Sequence, residues 1–185
     1  PAAAGAGADG PWDLGEVDDP AAGGRVDLGG MWLPQRPGLE VRVEADQQTS
    51  AVVAVTLVLG EGALQVQPFA APRTEGIWDE VRAEIAAGLA QQGGTADEVD
   101  GPLGRELRAT VPVRGADGSA GVQPARFLGV DGPRWFLRGV LTGRPAVEPA
   151  ADAELLALFR DIVVVRGDAP MAPREPIPLG LPMLE

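Results

Sequence analysis

Residues 39–70 read LEVRVEADQQTSAVVAVTLVLGEGALQVQPFA. The first segment, Leu39–Asp46, alternates without a break. Val41, Val43 and Ala45 share one parity, and Arg42, Glu44 and Asp46 share the other. A period of two with charge on one side marks a strand covered on one face only. Gln47–Ser50 is a polar turn. Ala51–Leu59 is apolar at both parities, the pattern of a central strand with both faces covered. Gly60–Gly62 turns the chain again, and Ala63–Ala70 alternates until Pro68 disturbs it. Strands joined by such short turns form a meander.

Immediately afterwards the period changes. In TEGIWDEVRAEIAAGLAQQGG, Ile77, Val81, Ile85 and Leu89 recur every four residues, which predicts a helix over about 74–92. Thr74 is the expected N-cap, acids crowd the first turn, and Gly93 suits a left-handed cap at the end. Thr95–Gly101, with Asp97, Glu98 and Asp100, reads as a polar loop. Leu107, Ala109, Val111 and Val113 then share one face of a strand that lies at an edge or stops near Pro112. Gly115–Gly118 signals a hairpin, Gly121–Val130 a further strand, and Asp131-Gly132-Pro133 a second turn into Arg134–Thr142. A second helix is expected over about 149–161, followed by a short strand at Ile162–Arg166.

The fold class that follows is α+β, an antiparallel sheet of about six to eight strands with two main helices. Residues 25–166 read as a single domain. Residues 1–24 form a flexible acidic N-terminal arm, in which Trp12 is the expected anchor to the body. Residues 167–185, with five prolines, form an extended C-terminal arm.

Composition excludes much chemistry. The 185 residues include no Cys, His, Lys, Tyr or Asn, and the net charge is −12. Without thiol, imidazole, amine or phenol, acid–base and nucleophilic work falls to carboxylates and a few hydroxyls. A Ser–His–Asp arrangement, a P-loop lysine and thiolate or imidazole metal sites are ruled out. An acidic chain is a poor partner for a phosphate backbone, so no nucleic acid is expected. The longest apolar run, Ala51–Leu59, is far short of a membrane span. No catalytic residue, metal ligand or cofactor is nominated. Oxygen-ligand sites for calcium or magnesium remain conceivable, but neither acidic stretch has the spacing of an EF-hand.

The candidate ligand-binding residues are Arg126, Arg138 and Trp135. Both arginines sit in otherwise apolar strand segments. If the turn at Asp131 holds three residues, they pair across the hairpin on one face and call for an anion between them. With two or four residues in the turn, they fall on opposite faces. The candidate partner-binding residues are Trp12, Asp13, Glu16, Asp18 and Asp19 of the acidic arm.

The motifs GPWDLGEVDDP, RVDLGGMWLP, AAPRTEGIWDEVRAEIA, VDGPRWFLRGVLTG and FRDIVVVRGDAPMAPR, in this order, resemble an actinobacterial family catalogued as a domain of unknown function, over about Gly10–Pro182. The resemblance implies a bacterial, cytoplasmic protein from a high-GC genome. The element order is also similar to the PsbP-like layered sandwich, whose members are mostly binding or assembly proteins. The leading expectation is therefore a non-catalytic protein-binding or assembly module with an unidentified protein partner. The alternatives are a small-molecule protein binding an anionic ligand, and a carboxylate-based hydrolase with an oxygen-ligated divalent metal. Oligomeric state is left open.

Overall fold

The computed structural model describes residues 10–45, 48, 52–72 and 76–180. Among them, the strands form two sheets. The larger has seven antiparallel strands in the order β4 (Glu40–Ala45), β5 (Val52–Leu59), β6 (Gly62–Ala70), β10 (Trp135–Gly143), β9 (Ala120–Gly132), β8 (Gly104–Arg114) and β7 (Thr95–Gly101). The meander β4–β5–β6 is the one read from residues 39–70. The chain then crosses through helix α1 (Trp78–Gln91) to the far edge and returns strand by strand until β10 closes against β6.

The smaller sheet has the order β1 (Trp12–Asp13), β11 (Val163–Val164), β3 (Met31–Leu33) and β2 (Val26–Asp27). It covers one face of the large sheet together with α3 (Ala153–Arg160). Call this the inner face. Val55, Leu57, Leu64, Val66, Leu128, Val130, Trp135, Leu137 and Leu141 project from it and form one cluster with Leu155, Leu156, Leu158 and Phe159 of α3 and with Met31, Leu33 and Val164 of the small sheet. Helix α1 lies on the opposite, outer face, where Ile77, Trp78 and Phe136 form a second, smaller cluster. The architecture is α+β and dominated by sheet.

Several sequence expectations need correction. Thr95–Gly101 is strand β7, pairing with β8 from Thr95↔Thr110 to Gly101↔Gly104. As an edge strand it has a single neighbour, so its charged side chains stay in water and hide the apolar alternation that usually reveals a strand. Pro68 does not interrupt β6. It pairs with Leu137, while its carbonyl accepts from Ile177 N at 3.0 Å on the other side. A residue's N–H and C=O point the same way in a strand, so the missing donor falls on the side away from β10. Helix α1 begins at Trp78 rather than near 74; Thr74 lies outside the described residues. Its first amides are held by Asp131, whose Oδ1 accepts from Ile77 N at 2.8 Å and Trp78 N at 3.2 Å. A long-range carboxylate thus does the work of a local cap.

The described parts of both arms, residues 10–24 and 167–180, are joined to the body. Trp12–Asp13 pairs in parallel with Val163–Val164, and Trp12 N donates to Ile162 O at 2.9 Å. The proline-rich segment places Pro176 and Pro178 at alternate positions and so leaves donors at Ile177 and Leu179. These bond Pro68 O and Val52 O, and both side chains are buried. The segment fills the gap that opens where β5 and β6 diverge.

Candidate functional site

Of the candidate ligand residues, Arg126 and Arg138 are separated by the sheet. The β9–β10 turn holds two residues, Pro133 and Arg134, and the register pairs Arg126 with Leu141 and Arg138 with Gly129. The two arginines therefore face opposite sides. The shared-face condition fails, because Asp131 and Gly132 continue the ladder instead of turning.

Arg126 lies on the inner face, fully enclosed. Its Nε and Nη2 donate to Glu106 at 2.7 and 2.9 Å, and its Nη1 donates to Asp152 Oδ2 at 2.8 Å and Pro145 O at 3.2 Å. Burial works against the charge, but the hydrogen bonds and the attraction of both carboxylates together hold the Arg126 guanidinium above its ordinary range. This triad ties the segment from α2 (Arg144–Val147) to the start of α3 onto β8 and β9. Every guanidinium nitrogen is used, which leaves no group for an outside anion.

Trp135 is also buried on the inner face. Its Nε1 donates to Asp13 Oδ1 at 2.8 Å, so a ligand candidate and a partner candidate meet inside the protein. Asp13 also caps the turn Leu14–Glu16, where Gly15 N donates to Asp13 Oδ2 and Asp13 N donates to Glu16 Oε1. Asp19 accepts from Ala21 N, and Asp18 is exposed. The arm's Trp12 and Asp13 are thus engaged within the chain.

Arg138 is different. It stands on the outer face with Phe136 and Val140, partly covered by α1. Its Nη2 donates to Gln67 Oε1 at 2.8 Å, and its guanidinium carbon lies 5.6 Å from the Phe69 ring centroid. Its Nε is buried without a partner, and no carboxylate comes within ion-pair distance among the described residues. Burial pulls Arg138 below the ordinary guanidinium range, and the charge of Glu44 opposes this without cancelling it. An arginine stays charged even so, and an incompletely paired charge in such a place is costly.

Among the described residues, two cavities border Arg138. One, of about 280 Å³, runs beneath α1 and is lined by Phe69, Ile77, Val81, Ile85 and Phe136, with Glu84 and Arg174 at its rim. Arg174 is held by Glu84 at 2.6 Å, so it is not free for a ligand. The other, of about 260 Å³, lies over the part of the sheet that α1 leaves bare, between Gln65, Val111, Gln123, Phe127 and Thr142. Apolar walls with a few convergent polar groups are the ordinary build of a ligand site. The sequence pointed to Arg138 by its parity among apolar neighbours. It could not show Glu44, Gln65 or Gln67, which come from strands distant in sequence.

No group of three acidic side chains converges as a metal cluster among the described residues. No helix among them is long and apolar enough to cross a membrane.

Fold and site together define a sheet-dominated α+β protein with a cationic, apolar-walled groove on its helix-covered face. The chain belongs to the family described as Protein of unknown function (DUF3710), which matches residues 10–184. No curated protein matches it.

Proposed function

We propose that this protein is a non-catalytic binding module whose ligand is an amphiphilic monoanion, a carboxylate with an apolar body. The observation that carries this is Arg138, a half-buried guanidinium without a carboxylate partner, set between two apolar cavities. A carboxylate on Nε and Nη1 would complete its fork, and a carbon skeleton would lie on Phe69, Phe136, Val81 and Ile85. Glu44 and Glu84 stand close by, so a single negative charge suits the site better than a phosphate dianion. A carboxylate hydrolase finds no such support. Glu106 and Asp152, the buried acids, are both bound to Arg126, and Asp131 is spent on α1. The PsbP-like order of elements remains an analogy of fold, from which no function is taken.

The test is calorimetric titration of the purified chain with decanoate and 2-naphthoate, beside Arg138→Gln. Binding by the parent and its loss in R138Q, with an unchanged melting temperature, is the expected result. Equal binding by R138Q, or no heat from either compound, overturns the reading.

A protein partner is the second reading. The observation that favours it is the open, solvent-facing edge of β4.

A further inference from the structure

The two edges of the large sheet differ. β7 carries exposed Asp97, Glu98 and Asp100, and a second copy laid against it would meet like charge. β4 is exposed at every position but the half-buried Glu44, and Val41 and Val43 are 38% and 42% exposed.

The register shows what this edge offers. The β5–β6 hairpin closes with Leu59 opposite Gly62 across two residues, a pair that exchanges both of its hydrogen bonds. Counting back from it, Val58, Thr56 and Ala54 turn their backbone groups toward β4. Their partners are Glu40, Arg42 and Glu44. Val41 and Val43 therefore direct N–H and C=O outward, with no strand among the described residues to receive them. Further pairing is limited on both sides: Leu39 N is spent on Arg36 O, and the register slips between Glu44 and Ala45.

The sequence of this edge, Glu-Val-Arg-Val-Glu, is symmetric about Arg42. A two-fold antiparallel pairing centred on Val43 sets Val43 against Val43, and Arg42 of each copy against Glu44 of the other. Centring on Arg42 would instead set arginine against arginine and glutamate against glutamate. Opposite charges directly across a ladder stabilise and like charges destabilise it, so the Val43-centred register is favoured. Arg42 is available for this, since among the described residues its ion pair is an exposed one with Glu40. Glu44 accepts from Thr56 Oγ1 and Gln65 Nε2, and each of its carboxylate oxygens keeps a further lone pair for Arg42 of the second copy.

We infer that β4 is a self-association edge, pairing antiparallel with β4 of a second copy through Val43 and the Arg42–Glu44 cross-pairs. The ladder is short, so the dimer is weak and depends on concentration and salt. It extends the large sheet across both copies and leaves each α1-side groove open.

Sedimentation velocity of the full chain over a wide concentration range tests this. The expected result is a mass rising toward twice the 19.1 kDa of the chain, and falling back as salt is raised. Val43→Pro removes the outward N–H and leaves the β5 ladder intact, so it should stay monomeric with an unchanged melting temperature. Arg42→Glu, which places acid against acid, serves should V43P fold poorly, and it too should be monomeric. A parent chain that remains monomeric at near-millimolar concentration overturns the inference. So does a folded V43P or R42E that associates like the parent.

Discussion

Replacing Arg126 by methionine is the sharpest test of how the inner face is held. Glu106 and Arg126 have side-chain exposures of 2% and 0%, and Asp152 is 11% exposed. Arg126→Met fills much of the same volume but leaves two carboxylates without their cation. Removing one partner of a buried pair costs about 3–5 kcal/mol. Arg108, 3.2 Å from Glu106 and partly in water, keeps some of the attraction and argues for the lower end, about 3 kcal/mol. That is a large share of a stability of about 5–15 kcal/mol. For a chain this long it lowers the melting temperature by roughly 6–12 °C. Urea unfolding followed by tryptophan fluorescence measures the loss, and hydrogen exchange locates it. Amides of α3 should open first, because Asp152 and Pro145 are the points where that segment is tied down. The triple replacement Arg126→Met, Glu106→Met, Asp152→Leu should recover most of the loss, since no unpaired charge remains. A single R126M costing less than about 1 kcal/mol, the value of a surface pair, would refute the reasoning.

Other expectations follow from single contacts. Asp131→Ala should cost about 1 kcal/mol, as loss of a helix cap does, and should loosen the first turn of α1 in hydrogen exchange. Burial raises the Asp131 carboxyl above its ordinary range, and the bonds from Ile77 and Trp78 oppose this without cancelling it. A raised native value means that its contribution weakens as pH climbs from the ordinary carboxyl range through the native one. Asp131→Asn should remove that slope from a plot of stability against pH. Gly129→Ala should destabilise by about 1–3 kcal/mol, because its Cβ would lie 2.5 Å from the Trp78 ring; the readout is a lowered denaturation midpoint. Trp135→Phe loses the bond to Asp13, worth about 1 kcal/mol, and should free β1 for limited proteolysis.

The family shared by this chain brings no activity with it, so the proposed function rests on the groove alone. Arg138 was visible beforehand as a cation among apolar residues on a strand. That it lacks a carboxylate was not, since its surroundings come from β4, β6 and α1. Arg126 carried the same signal and proved to be a structural ion pair. Parity shows which residues share a face of one strand. It does not show what packs above that face, and this difference separates a free cation from a spent one.

Residues 39–70 determined by themselves the β4–β5–β6 meander, and the four-residue period after them determined α1, because hydrophobic spacing is local to each element. The missing side chains restricted the chemistry before any fold was known. Tertiary structure alone decided the rest: the order in which β10 closes on β6, the strand hidden in the acids of β7, and the capping of α1 by a residue 53 positions away. It also decided the use of Trp12–Asp13 and of the segment around Ile177 and Leu179 to complete the body. In each of these the partner comes from a distant part of the chain, and no local pattern records which distant group will satisfy a given amide, carboxylate or apolar face.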